Sequence, residues 1–152
     1  PAIYQYFRDK DAVLDALAAD GHVLLAMALE EAAASRSGTA KKLRAMIKAL
    51  WMFSLSNREL YAVMFGLDGL VAHRASSSEG IAPPVLIRAA SEFLEKRHLD
   101  DDATDLADQL IATAHGFICL AQGGACLGGG DRAFDLLSRV LDTLLKNIGR
   151  HS

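Results

Sequence analysis

The stretch ATDLADQLIATAHGFICLA, residues 103–121, is apolar over a wide arc when it is wound into a helix. Its apolar residues recur at steps of three and four, the spacing of residues that share one side of an α-helix. They are Ala103, Leu106, Ala107, Leu110, Ile111, Ala114, Phe117, Ile118 and Ala121. The acidic run at 100–102 comes just before, where negative charge favours the start of a helix. We therefore predict a long helix that packs against more than one neighbour.

The same period predicts helices on the N-terminal side of this stretch. Asp9 is a candidate N-cap for a long helix that ends near Ser35, and Thr39 is one for a second helix that runs to about Leu55. Asn57 can cap a third, short helix through Phe65, and residues 67–74 form a candidate fourth.

Two more helices complete the pattern. Pro83 and Pro84 suit the first turn of a helix that stops near His98, because the missing N–H costs nothing there. After the glycines at 128–130 end the 103–121 helix, Asp131 is predicted to cap the last helix of the chain. The sequence thus predicts an all-α helical bundle of six or seven helices.

Composition agrees with this fold class. The 152 residues include 26 Ala and 23 Leu, both strong helix formers, against 17 β-branched Val, Ile and Thr. The net charge of −3 argues against nucleic-acid binding over the whole surface. The two cysteines lie seven residues apart, about 10.5 Å along one helix, which is too far for a disulfide, so we expect a reducing cytoplasm. Because no uncharged apolar run reaches 18 residues, we expect no membrane span.

Signals for enzymatic chemistry are weak. The five histidines form neither a His-Glu-x-x-His pair nor a Cys/His metal spacing, and the sequence contains no Gly-x-Ser-x-Gly elbow. The glycines between Gly123 and Gly130 lack the Lys-Ser/Thr that a phosphate-binding loop requires, so helix termination explains them better. We predict a protein that is not an enzyme and that carries no cofactor or metal.

The N-terminal stretch IYQYFRDKDAVL, residues 3–14, resembles a segment of the tetracycline-repressor (TetR) family of transcriptional regulators. In that family the segment closes the recognition helix of the helix-turn-helix domain and opens the next helix. The matching residues are Ile3, Tyr4, Tyr6, Phe7, Asp9, Lys10, Asp11 and Leu14, while Val13 replaces a Leu. Two Tyr hydroxyls and a Lys beside a helix start are also suitable donors to phosphate oxygens.

This resemblance implies two parts in the chain. Residues 1–9 are the remnant of a DNA-binding domain, and residues 10–152 form a ligand-binding and dimerisation domain. Tyr4, Tyr6 and Lys10 would contact phosphates, and Pro1, Ala2 and Gln5 would face the major groove. Because the first helices of the helix-turn-helix are absent from this sequence, we expect the chain as given not to bind operator DNA.

The rest of the chain resembles the C-terminal domain of the same family. Residues 60–66, LYAVMFG, and His115-Gly116 resemble one subgroup with a Trp-His-Gly region, although Ile111 stands where its Trp is often found. A mostly apolar pocket for a small hydrophobic ligand is expected. The candidate lining residues are Trp51, Leu55, Met64, Phe65, Phe93, His115 and Phe117. Each of them is explained equally well as a residue that fills the core.

The last two helices carry more apolar surface than their own domain can cover, and such a surface favours a homodimer. The candidate interface residues are Phe117, Ala121, Gly124, Ala125, Phe134, Leu137, Leu141, Leu144 and Ile148. Leu136, Val140 and Leu145 form a second apolar stripe beside them.

The leading hypothesis is a bacterial one-component transcriptional regulator, most often a repressor, whose partners are operator DNA, a small-molecule effector and a second copy of itself. Two alternatives stay open. One is an all-α enzyme or ligand carrier, and the other is a helical interaction module with a filled core.

Overall fold

The computed structural model describes residues 10–65, 81–124 and 129–149, which form six α-helices and no strand. The helices are α1 (Lys10–Ala34), α2 (Thr39–Ser56), α3 (Arg58–Phe65), α4 (Pro84–Arg97), α5 (Ala103–Gln122) and α6 (Gly130–Asn147). The predicted all-α bundle is confirmed. The candidate helix at 67–74 lies outside the described residues.

Helix α2 lies at the centre of the bundle and packs against the five other helices. Its residues Leu43, Met46, Ile47 and Leu50 are completely buried. Around it, α1 packs against α3 and α4, α4 against α5, and α5 against α6. Every helix therefore contributes one apolar side to a single core.

Two helix boundaries follow the predicted local chemistry. The Asp102 carboxylate accepts hydrogen bonds from the backbone N–H groups of Thr104 and Asp105, so it caps α5. Pro84 is the first residue of α4, and His98 ends that helix in the left-handed conformation, with φ at 56°.

Two predicted caps are wrong. The N-cap of α2 is Gly38, not Thr39, and the N-cap of α6 is Gly129, not Asp131; neither helix start has a side-chain capping bond. Both glycines have φ near 95°, which lets the chain turn into the helix one or two residues early. Asn57 lies directly before α3, as predicted, and its carbonyl accepts from the Tyr61 N–H, while its side-chain amide donates to the backbone oxygen of Phe53 in α2.

The end of α5 also differs from the prediction. The helix ends at Gln122, and the Gly123 N–H donates to the Cys119 carbonyl. Gly123, which is exposed, therefore terminates α5 well before the glycines at 128–130.

Helix α1 is long and apolar enough, by length and composition alone, to cross a membrane. Ala18, Gly21, Leu25 and Leu29 are buried on the side that faces the bundle. Core helices of soluble proteins pass the same test, so this finding is weak evidence for a membrane.

Candidate functional site

A chain of three polar side chains connects α3 with α5 inside the otherwise apolar bundle. The Tyr61 hydroxyl lies 2.9 Å from Nδ1 of His115, and the Cys119 sulfur lies 3.3 Å from Nε2 of the same ring. Tyr61 is completely buried and His115 is half-buried. We refer to Tyr61, His115 and Cys119 as the polar cluster.

Helical spacing explains how the cluster forms. His115 and Cys119 are four residues apart on α5, so they lie on one side of that helix. Tyr61 and Phe65 have the same separation on α3, and their ring centroids are 4.6 Å apart. The Phe65 ring also lies 4.8 Å from the His115 ring, so aromatic surfaces enclose the imidazole.

Burial keeps all three groups uncharged near neutral pH. It raises the pKa of the Tyr61 hydroxyl far above its ordinary value and also raises the pKa of the Cys119 thiol. It lowers the pKa of His115 below its ordinary 6.5. A neutral imidazole has one N–H, so His115 donates to one neighbour and accepts from the other. A ligand with one polar atom can therefore form a hydrogen bond with the polar cluster without burying a charged group.

The cluster is in contact with α1 through α3. A Cβ atom added to Gly21 would lie 2.5 Å from the sulfur of Met64, so α1 and α3 approach closely at this point. One residue further along α1, the His22 ring makes an edge contact with Phe65, with ring centroids 5.9 Å apart. A displacement of α3 therefore reaches α1 directly.

A surface cavity of about 510 Å³ opens beside Cys119, between α3 and the end of α5. Arg58 crosses one side of it and donates to the Gln122 carbonyl, and the Gln122 amide donates to the Ser54 carbonyl. The volume is in the range of small-molecule sites. We refer to this space as the α3–α5 cavity.

The structure brings three of the predicted ligand-binding residues together: Met64 and Phe65 are on α3, and His115 faces Phe65. It places others apart from the polar cluster. Trp51 packs against Phe134 of α6, with centroids 5.5 Å apart, and Phe93 lies under the guanidinium of Arg97.

The two remaining ligand-binding candidates have different surroundings. Leu55 is 48% exposed, and Phe117 packs at the edge of the core. Sequence reasoning missed Tyr61 and Cys119. The sequence feature that could have indicated them is helical spacing. Tyr61 is four residues from the predicted site residue Phe65, and Cys119 is four residues from the predicted site residue His115.

The predicted interface residues on α5 and α6 differ in how deeply they are buried within their own chain. Leu137 and Leu141 are buried in the chain's own core, and the Phe134 ring packs against Trp51. Leu144 and Ile148 are partly buried, as are Phe117 and Ala121 on α5, and Gly124 is exposed. Ala125 lies outside the described residues.

The second apolar stripe of α6 is divided: Leu145 is buried in the core, contrary to the prediction, whereas Leu136 is partly buried and Val140 is exposed. Val140 is 41% exposed, and with Leu136 and Leu144 it lines a shallow groove of about 400 Å³. On α5, Leu120 is 49% exposed.

Of the predicted DNA contacts, Lys10 is the exposed first residue of α1. Pro1, Ala2, Tyr4, Gln5 and Tyr6 lie outside the described residues. Within the described part of the chain, no group of three His, Cys, Asp or Glu side chains could hold a metal ion.

These features define an all-α helical domain with a neutral polar cluster between two of its helices. The sequence pattern described as "Tetracyclin repressor-like, C-terminal domain" matches residues 43–144, so the chain belongs to this family. Domains of this family are regulatory and bind small effectors. The match begins beyond the N-terminal motif, so the helix-turn-helix remnant stays a prediction, as does the Trp-His-Gly subgroup.

One solved structure has the same fold over most of the chain. A protein with unknown function from Rhodococcus sp. RHA1 is 28% identical, with a TM-score of 0.73, and the similarity covers 94% of this chain and 75% of that protein. No curated protein is significantly similar.

Proposed function

We propose that the chain is the effector-binding and dimerisation part of a one-component transcriptional regulator that acts as a repressor in the cytoplasm. The observation that carries this proposal is the polar cluster, because it lies in an apolar bundle and connects through α3 to α1. Helix α1 is the helix that would lead from the DNA-binding segment.

The effector that fits the site is small and mostly hydrophobic, with one hydrogen-bonding group. Phe65 and Met64 offer apolar surface, and the polar cluster offers one donor and one acceptor that can rearrange. The α3–α5 cavity gives access beside Cys119. The side chains that line the cavity are Arg58, Glu59, Ala62, Cys119 and Gln122, so the apolar surface for the effector would come from Met64 and Phe65.

Coupling to DNA follows from the contact between α1 and α3. An effector that displaces α3 moves Met64 against Gly21, where no free space separates the helices. Tilting α1 changes the spacing of the two DNA-binding parts in a dimer, which must be about 34–36 Å to reach successive major grooves. The effector thus shifts the population between DNA-binding and non-binding arrangements.

The homodimer would use the outer faces of α5 and α6. Leu120 and Val140 expose apolar surface that α2 and the rest of the core do not cover, and Leu136 and Leu144 extend it. Two copies packed on these faces give an isologous four-helix interface.

Thermal unfolding of the chain in the presence of hydrophobic small molecules tests the effector site. A ligand at one hundred times its Kd should raise the unfolding midpoint by about 5–10 °C. The substitution His115→Leu should remove most of this shift, whereas Phe93→Leu, a change in a core aromatic apart from the cluster, should retain it. Ligands that stabilise both variants like the wild type would show that the effector binds elsewhere.

A further inference from the structure

A second cavity, of about 430 Å³, lies between α2 and α6 and shares no lining residue with the α3–α5 cavity. Its apolar floor is formed by Ala45, Phe134 and Leu141, and four cations stand around it: Arg36, Lys41, Arg44 and Lys48. We refer to this cavity as the basic cleft.

The floor of the basic cleft is packed against the hydrophobic core. The Phe134 ring packs against buried Trp51, with ring centroids 5.5 Å apart. Leu141 belongs to the hydrophobic core and is 4% exposed. A ligand that rests on this floor would find an apolar surface already formed, so little order would be lost on binding.

The cations around the floor have little negative charge nearby. Lys41, Arg44 and Lys48 lie on one side of α2, at steps of three and four. Arg44 pairs with Asp142 at 2.6 Å. Within the described ranges, Arg36, Lys41 and Lys48 have no acidic side chain at ion-pair distance.

This charge distribution runs against that of the whole chain, whose net charge is −3. Three cations that have no ion-pair partner among the described residues concentrate positive potential at the mouth of the cleft and attract anions. A bare inorganic anion would leave the apolar floor unused, and a neutral hydrophobic molecule would leave the cations unused. An anion with an apolar body uses both.

We propose that the basic cleft is a second ligand site, which binds a small organic anion with a carboxylate- or sulfonate-type head and an aromatic or aliphatic body. Its body lies on Phe134 and Leu141, and its head meets Lys41 and Lys48. Because the site joins α2 to α6, the bound anion holds the outer face of α6 in a fixed position relative to the core. This site is independent of an effector at the polar cluster.

Two dyes with the same aromatic rings, one anionic and one neutral, show whether binding at the cleft requires the negative charge of the ligand. The anionic probe is 1-anilinonaphthalene-8-sulfonate, and the neutral probe is N-phenyl-1-naphthylamine, which has the same rings without the sulfonate. Trp51 is the only tryptophan and packs against the floor residue Phe134, so energy transfer from Trp51 reports dye binding, and the cleft variants show whether the dye lies in the cleft. The sulfonate should bind saturably, one per chain, with loss of Trp51 emission. Its affinity should fall as salt is raised.

Substitutions of lysine by the uncharged, polar glutamine test the cations. The double variant Lys41→Gln/Lys48→Gln should weaken sulfonate binding about fivefold to tenfold, the effect of removing two exposed ionic contacts. The matched control is Lys96→Gln/Lys146→Gln, which removes two exposed lysines outside the cleft and should leave the affinity unchanged. The variant Ala45→Leu fills the floor without changing charge and should also weaken binding.

Three outcomes would overturn the proposal. The first is equal affinity for the neutral and the sulfonated dye. The second is the same affinity in the cleft variant and its lysine control, which would place the dye elsewhere, including at the α3–α5 cavity. The third is sulfonate binding that is unaffected by Ala45→Leu. Circular dichroism of each variant establishes that a lost affinity does not come from unfolding.

Discussion

The buried Tyr61 hydroxyl forms a hydrogen bond with Nδ1 of His115, at 2.9 Å. The substitution Tyr61→Phe keeps the ring in the core but leaves His115 without this hydrogen bond. We expect a loss of about 1–2 kcal/mol in the free energy of unfolding, measured in urea. The control Ser91→Ala removes an exposed hydroxyl that donates to Glu95, and it should change stability by less than about 0.5 kcal/mol. Equal stability of Tyr61→Phe and the wild type would contradict the hydrogen bond.

His115 should make stability depend on pH. Because burial lowers its pKa in the folded chain, the unfolded chain binds a proton more readily below about pH 6.5. The stabilising effect of the neutral imidazole is therefore present above that pH and is lost as the pH falls towards the folded-state pKa. The thermal midpoint of His115→Gln should fall less than that of the wild type between pH 7.5 and 5.5. The control variant is His98→Asn, which removes an exposed imidazole. Its thermal midpoint should depend on pH in the same way as that of the wild type.

Helices α1 and α3 meet at Gly21, which lies directly against the side chain of Met64. In Gly21→Ala the new methyl group lies 2.5 Å from the Met64 sulfur and 3.1 Å from Leu60 Cδ1, so one helix or side chain must move. We expect a net loss of about 1–2 kcal/mol, since overpacking outweighs the better helix propensity of Ala. The matched control is Gly130→Ala in α6, where nothing lies within 4 Å of the added Cβ atom.

A double-mutant cycle isolates this contact. In a Met64→Ala background the Gly21→Ala change should cost much less, because the atoms that the methyl group meets have been removed. The same cost in both backgrounds would show that α1 and α3 are not tightly coupled at this position.

Leu120 on α5 and Val140 on α6 are exposed apolar residues of the proposed interface, and we expect the chain to sediment at about twice its mass of 16.3 kDa. The variant Val140→Asp should give folded monomers, because a charge on the outer face prevents association but reaches water in the monomer. The variant Leu137→Asp should fail to fold, because Leu137 is completely buried within its own chain. Sedimentation and circular dichroism together distinguish the two results. A wild-type monomer at micromolar concentration would refute the interface.

The sequence was sufficient for features that depend on neighbouring residues. The apolar period located the helices, and Pro84 and Asp102 placed the starts of α4 and α5. The N-terminal motif led to the family, and the LYAVMFG stretch together with His115 led to three residues around the polar cluster. The predicted N-caps of α2 and α6 were wrong, because the N-caps are Gly38 and Gly129. Whether a glycine adopts a positive φ depends on the path of the chain into the helix.

Tertiary structure decided which apolar residues meet. The hydrogen bond between Tyr61 and His115 joins residues 54 positions apart, and no local pattern specifies that contact. On α6 two adjacent stripes have the same helical period, so periodicity alone could not separate core residues such as Leu137 from outward ones such as Val140. The rotation of α6 about its axis follows from the fit of its side chains against α2 and α5. That fit depends on the summed packing of distant segments, because close-packed interiors accept few arrangements of the same side chains.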